Sequence, residues 1–236
     1  MIIFYSPDIQ STGELSETES GHCCRVLRLR EGDHITVADG LGHFFECEIT
    51  DAHPKHTSVM ILDSREVDRH WSPKITLAVA PTKNMDRMEW LAEKAVEIGV
   101  DRLVFVDCQR NVRHVVKRDR IEKIMISAMK QSLKAHLPEL VELTSLREFF
   151  ASDTSQVKYM GYCDPNIPRR EFSVDYDGKQ DLTILVGPEG DFSPDEVDAA
   201  LVAGFAPVTF GNTRLRTETA ALYALCATHS IITQQV

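Results

Sequence analysis

The chain has 236 residues, 43% of them hydrophobic and 26% charged, with a formal net charge of −10 at pH 7. That length allows a large core and two domains, and the acidic balance taken whole argues against a polyanion partner unless a local patch opposes it. Six cysteines form no C-x-x-C, no histidine pair has zinc spacing, Met1 to Tyr5 lacks the features of a signal peptide, and no apolar run approaches the ~20 residues that span a bilayer.

These exclusions lead to the expectation of a reduced, cytoplasmic protein without metal and without a membrane partner. Along residues 1–70 the texture is β. Candidate strands are Ile2–Tyr5, His34–Ala38, Phe44–Ile49 and Ser58–Leu62, and Asp39-Gly40 with Gly42 punctuates the middle pair like a hairpin. Short, closely spaced strands predict a small barrel. Cys23-Cys24 has nothing nearby to activate it and is read as packing. Trp71-Ser-Pro73 marks the boundary of a second domain, 74–236.

There, apolar runs alternate with helical patterns. Ile75–Ala80, Leu103–Val106, Val157–Tyr162, Leu182–Val186 and Pro207–Phe210 read as buried strands. Met88, Leu91, Ala92 and Ala95 share one helical face, and Gly99 stops that helix. Ile121, Ile124, Met125, Ala128 and Met129 line the next helix. Ser193-Pro-Asp-Glu196 is a capping box with proline at the first helical position, and Gly204 ends the helix it opens. Such alternation predicts a mostly parallel α/β sheet.

Three features stand out against this frame. Gly187-Pro-Glu-Gly190 joins a strand to a helix, yet no lysine follows, so it is not a phosphate loop. It is either a tight turn that needs glycine dihedrals or a binding loop. With Glu189 and Asp191 in it, a bound ligand would be cationic or neutral, and S-adenosylmethionine has that chemistry. The second feature is Phe210 to Ala220, another strand–glycine–loop–helix. Thr217 or Thr219 would cap the helix and Glu218 suits its positive end, whereas Arg214 and Arg216 sit where the helix dipole disfavours cations. Arginines against the dipole point to an anion or a developing one. The following helix, Ala220–Ile232, is apolar on several faces, as in a core or a subunit interface. The third feature is charge. Eight basic residues (Arg110, Arg113, Lys117, Arg118, Arg120, Lys123, Lys130, Lys134) stand against Asp119 and Glu122, and Arg25, Arg28 and Arg30 form a smaller group. The strip is a solvated helix face or, more in keeping with an acidic chain, a polyanion site.

The ordered set resembles the RsmE family of ribosomal RNA uridine-N3 methyltransferases, of the SPOUT class. The fragments are His22…Val26-Leu-Arg28, Lys83…Arg87-Met-Glu-Trp-Leu91…Lys94-Ala95…Glu97-Ile-Gly-Val100, Gln131-Ser132…Leu137-Pro138, Gly187-Pro-Glu-Gly190 and Leu215-Arg-Thr-Glu-Thr-Ala220. The resemblance implies an N-terminal PUA-like β-barrel (1–70) that binds RNA and a trefoil-knotted, mostly parallel catalytic domain. It implies a homodimer that methylates 16S ribosomal RNA or the assembled small subunit, with S-adenosylmethionine as cofactor. The implied cofactor loops are Gly161-Tyr162, Leu185-Val186-Gly187-Pro188-Glu189-Gly190, and Phe210-Gly211 to Leu215, with Thr217 and Thr219. Arg216 would stabilise the uridine anion and Glu218 would act as base or cap. Arg25, Arg28, Arg110, Arg113, Lys117 and Lys134 would hold RNA. Asp191, Asn212-Thr-Arg214 and Lys134 depart from the family's usual residues. The rival readings are a non-catalytic ribosome-assembly factor and a small-molecule enzyme of ordinary α/β fold, against which the basic strip counts.

Overall fold

Period-two alternation decides the N-terminal sheet. In β2 (His34–Ala38) and β3 (His43–Asp51), Ile35, Val37, Phe45, Cys47 and Ile49 point to one core. β1 (Ile3–Tyr5) adds Phe4, and β4 (Ser58–Glu66) adds Val59 to the same core. The computed structural model describes residues 2–163 and 168–234. Within them the expected small barrel takes the form of a four-stranded sheet, β1-β2-β3-β4, parallel between β1 and β2 and antiparallel elsewhere. Two short helices, α1 (Ile9–Thr12) and α2 (Glu17–Gly21), and a π-helical turn, His22–Val26, lie between β1 and β2. Burial pushes the Cys23 thiol up to about 12 and that of Cys47 up to about 11, so both pack as neutral thiols.

The second unit comprises 71–125 and 138–236; residues 126–137 cluster with the first. The stretch 74–236 is therefore interrupted. The reason lies in specific bonds. Lys130 pairs with the largely buried Glu19, His136 Nε2 lies 2.8 Å from the Val67 carbonyl, and the Leu137 amide donates to Gly40 at 2.8 Å.

The second unit holds β5 (Ile75–Val79), α3 (Met85–Ile98), β6 (Arg102–Asp107), β7 (Glu139–Ser145), α5 (Leu146–Ser152), β8 (Val157–Gly161), β9 (Arg170–Glu171), α6 (Phe172–Asp175), β10 (Leu182–Val186), α7 (Pro194–Val202), β11 (Ala206–Thr209) and α8 (Thr217–Thr233). The helix α4 (Arg118–Gln131) begins in this unit and ends in the first. The seven strands are ordered β7-β6-β5-β10-β8-β11-β9, and each paired neighbour is parallel. Continuous burial of β5 and β10 matches a sheet covered on both faces. Gly99, at φ +130°, ends α3, and Ser193 with Glu196 forms the expected capping box at α7. The pair β7–α5 is an addition to the expected elements, although Ser145 and Glu148 form a second capping box in plain sequence.

The strand order fixes where function can sit. From β5 the chain winds outward through β6 and β7, then fills the other side with β8, β10 and β11. The switch between the two directions lies at β5 and β10. In open parallel sheets, ligands bind outside the carboxyl ends of strands at such a switch.

Candidate active site

The three loops singled out in sequence leave adjacent strands at one edge. Gly161 is in register with Val186 on β10 and with Val208 on β11. The parallel sense of all three strands puts Gly161-Tyr162, Leu185–Gly190 and Phe210–Leu215 side by side. Leu185, Val186, Gly187, Pro188 and Tyr162 are buried; Phe210, Gly211 and Leu215 are half-buried; Glu189 and Gly190 are exposed.

The glycines here serve different needs. A Cβ on Gly161 would meet the Phe210 ring at 2.6 Å, and one on Gly187 would meet the Phe192 ring at 2.9 Å. Both are glycine because an aromatic ring packs against the backbone. Gly211 has φ +95° and nothing within 4 Å of a built Cβ. Its requirement is conformational, and its surroundings are open to a ligand.

The acidic residues brace the loops. Glu189 Oε1 accepts the Lys83 amide at 3.1 Å. Asp191 Oδ2 accepts the Cys163 amide at 3.2 Å, which ties the β10 loop to the β8 loop. Asp191 also has φ +61°, in the left-handed region that asparagine and aspartate tolerate and that glycine favours. The departure at 191 is thus accommodated by local bonding, including the Phe192 amide to Asp191 Oδ1 at 2.9 Å. These carboxylates are engaged with the chain itself, so the negative lining that sequence suggested for a cationic ligand is structural at these atoms.

Thr217 does not cap α8 with its side chain. Its hydroxyl donates to the Gly187 carbonyl at 3.0 Å, joining the β10 loop to α8, and Arg216 occupies the N-cap position with no side-chain cap bond. Thr219 is exposed. Arg214 and Arg216 are exposed on the same loop. Glu218 is 5% exposed, forms an ion pair with Arg87 Nη1 at 3.5 Å, and leaves Oε2 buried without a hydrogen-bond partner among the described residues. Burial, with the Asp191 carboxylate second, raises the Cys163 thiol above its ordinary range, so no thiolate forms beside the loops at neutral pH.

The basic strip resolves into three classes. Arg110 and Arg113 hold loops: Arg110 Nη1 donates to the Gly190 carbonyl at 2.8 Å, and Arg113 reaches the Lys83 carbonyl at 3.4 Å. Arg118, Arg120 and Lys130 are paired with carboxylates, Arg118 with Glu122 and Glu142, Arg120 with Glu89, Lys130 with Glu19. Lys117 and Lys123 are exposed. Lys134, with Arg25 and Arg28, belongs to the first unit, where Arg28 is exposed at φ +58° beyond the π-helical turn. The eight-to-two excess therefore overstates the free positive charge.

One residue near the site enters the sequence reading only as part of a motif, with no role of its own. Arg87 lies in the first turn of α3, whose N-cap is Asn84. It is a cation against a helix dipole, the same signal that draws attention to Arg214 and Arg216.

Comparisons with known proteins bear on this geometry. Residues 70–229 match the RNA methyltransferase domain, and residues 15–61 match the RNA methyltransferase PUA domain. A crystal structure described as a "probable rRNA-methyltransferase" from Porphyromonas gingivalis is 43% identical, covers 100% of each chain and superposes with a TM-score of 0.94. A ribosomal RNA small subunit methyltransferase E from Neisseria gonorrhoeae, bound to S-adenosyl methionine, is 30% identical over 98% of each chain with a TM-score of 0.84. The protein of that same name from Bacillus subtilis is 26% identical over 94% of this chain and 90% of its own length.

Proposed function

The chain belongs to the RNA methyltransferase family, and from that premise we propose that it transfers a methyl group from S-adenosylmethionine to N3 of a uridine in 16S ribosomal RNA of the small subunit. The observation that carries the reading is the set of three glycine-bearing loops at the carboxyl edge of β8, β10 and β11, adjoining the N-terminus of α8. The loops fit the cofactor. They offer backbone groups and a buried apolar floor of Leu185, Val186 and Tyr162, and they have no lysine-bearing phosphate loop. Gly211 lets the chain pass close to an adenosine, and Leu215, Thr217 and Thr219 continue the wall. When bound, S-adenosylmethionine supplies a methyl on a sulfonium sulfur, and the new C–N bond forms as the C–S bond breaks.

The chain's own residues have three tasks. They hold the loops, through the ties that Thr217, Asp191 and Arg110 make. They orient the base, which must leave its stack to enter. They also stabilise charge as the N3 proton departs. In this reading Arg216, exposed at the N-cap of α8, donates to a carbonyl oxygen of the uridine, where negative charge develops. Glu218 is less suited to proton removal, because it is buried and engaged with Arg87.

The N-terminal unit is the RNA-gripping domain in this reading, with Arg25, Arg28 and Lys134 on its surface. Lys117, Arg113 and Arg110 would meet RNA from the catalytic unit. The knotted path of that unit and the homodimer belong to the same reading. Exposed Trp90 on α3 with exposed Tyr223 on α8 supports the dimer. The cytoplasm follows as the place of the ribosome. Nucleoside mass spectrometry of 16S RNA from cells with and without the protein tests the reading; an unchanged N3-methyluridine content would overturn it.

A further inference from the structure

A cleft of about 590 Å³ opens at the carboxyl ends of β5 and β10, the switch point of the sheet. Its walls are Lys83, the first turn of α3 from Asn84 to Arg87, Arg113 and Glu189. It adjoins the proposed cofactor loops, since Glu189 belongs to the Gly187–Gly190 turn. The walls are fixed from both sides. Glu189 accepts the Lys83 amide at 3.1 Å, and Arg113 reaches the Lys83 carbonyl at 3.4 Å.

The cleft lining is close to even in charge. Lys83, Arg87 and Arg113 stand against Asp86 and Glu189, and Glu218 outside the lining pairs with Arg87, so the set as a whole is balanced. A phosphate would want an excess of cations, whereas a base with both donor and acceptor edges suits a balanced set. The volume is in the range of small-molecule sites.

Arg87 connects this cleft to the buried carboxylate. Its side chain is 38% exposed, and Glu218 is not among the lining residues. Glu218 therefore reaches the cleft through Arg87. One Glu218 oxygen holds Nη1 at 3.5 Å and the other is buried without a hydrogen-bond partner among the described residues. A carboxylate left half-satisfied is costly, and it gains a second bond if the guanidinium seats fully on it. Seating on Glu218 would leave the other guanidinium N–H groups, in their rigid fork, for a ligand in the cleft.

We propose that this cleft receives the target pyrimidine and that Arg87 is a catalytic residue that donates to a base carbonyl, held in place by Glu218 as a positioning residue. The proposal rests on the methyltransferase reading and extends it. N3 of a uracil lies between two carbonyls, so loss of its proton spreads charge onto both O2 and O4. One arginine addresses one oxygen. Arg216 and Arg87 lie on segments joined by the Arg87–Glu218 pair, and the two can divide the task. The proton leaves to solvent, and neither arginine accepts it.

The test is single-turnover methyl transfer to small subunits from cells lacking the protein, with RNA affinity measured in parallel. The variants are Arg87→Gln, Arg87→Lys, Glu218→Gln and the double Arg87→Gln/Glu218→Gln. Arg87→Gln should slow transfer by about 10²–10³, the scale for loss of one preorganised donor, with subunit affinity changed by less than roughly threefold because the contact matters in the transition state. Glu218→Gln should slow it by about tenfold, and the double variant should be no slower than Arg87→Gln, since Glu218 acts through Arg87. The double variant also removes the stranded buried charge, which keeps the test valid if Arg87→Gln alone folds poorly. Arg87→Lys should recover part of the rate. Additive losses in the double variant, or full activity of Arg87→Gln, would overturn the assignment. A parent protein that methylates no RNA would instead overturn the reading on which it rests.

Discussion

At the carboxyl edge of β8, β10 and β11 the chain is held by its backbone. Ring packing against Gly161 and Gly187, the Thr217–Gly187 bond and the Asp191–Cys163 bond fix three loops to each other. Between residues 110 and 134 the fixing is by side-chain charge. There Arg118, Arg120 and Lys130 are matched to carboxylates from distant parts of the sequence, and Arg110 and Arg113 reach carbonyls. A constraint on backbone is written where it acts, because any side chain at Gly161 would displace a ring packed 2.6 Å from its Cβ position. A charge is written at one position and answered at another, so counting charges along a run cannot say which remain for a partner.

Arg216 lies on the first side of this contrast and gives the largest expected effect. It occupies the N-cap of α8, where a cation is misplaced unless something anionic arrives. Arg216→Ala should slow methyl transfer by about 10²–10³, with far smaller losses in cofactor and RNA affinity. Higher pH should partly rescue the variant, since solvent then supplies more of the uridine anion. A single-turnover series across pH measures both. Rate and RNA affinity falling in proportion, without rescue, would make Arg216 a phosphate clamp.

The two kinds of glycine sharpen the comparison. Gly161→Ala forces a methyl group against Phe210, an overpacking worth about 1–3 kcal/mol, and Phe210→Leu should relieve part of it. At Gly211 a Cβ meets no described atom within 4 Å, but Gly211→Val puts a branched side chain at φ +95°. That strain, about 1–3 kcal/mol, should fall on the loop and lower affinity for S-adenosylhomocysteine by roughly tenfold, with the rest of the fold retained. Denaturant melts and titration calorimetry on the variants distinguish the two. Equal affinity in Gly211→Val would remove that loop from the cofactor site.

Much of this is legible in the amino-acid sequence alone. Ile75–Val79, Leu182–Val186 and the Ser193–Glu196 capping box announce themselves because period and capping are local. Two further signals obey the same local rules and are easily passed over: Ser145 with Glu148, and Arg87 in the first turn of α3. Other features are not legible in that way. That residues 126–137 join the first unit depends on Glu19, Gly40 and Val67, far away in sequence. That Thr217 serves Gly187 instead of its own helix depends on a strand placed beside it by topology. Threonine before a helix predicts a cap; only the placement of β10 reveals the competing acceptor.

The smallest expected effect concerns the charged run, and it divides the run by its partners. Lys117 and Lys123 are exposed and, among the described residues, free of the carboxylate pairs that occupy Arg118 and Arg120. If residues 117–123 of the run meet RNA alongside Arg110 and Arg113, those two lysines should carry that part of the contact. Each phosphate contact removed should reduce the slope of log affinity against log salt by about one. The pair Lys117→Ala/Lys123→Ala should therefore flatten the slope by about two. Arg118→Ala/Arg120→Ala, with the same loss of formal charge, should leave the slope nearly unchanged; the exposed pairs of Arg118 contribute about 0–1 kcal/mol of stability, and Arg120→Ala costs more because Glu89 is mostly buried. Filter binding of 16S RNA across a salt series measures both variants side by side. Equal slopes in the two would mean that RNA responds to net charge alone, and the distinction between paired and free cations would have no bearing on binding. A parent slope retained by the lysine variant would make residues 117–123 a solvated face, leaving the grip on RNA to Arg110, Arg113 and the arginines of the first unit.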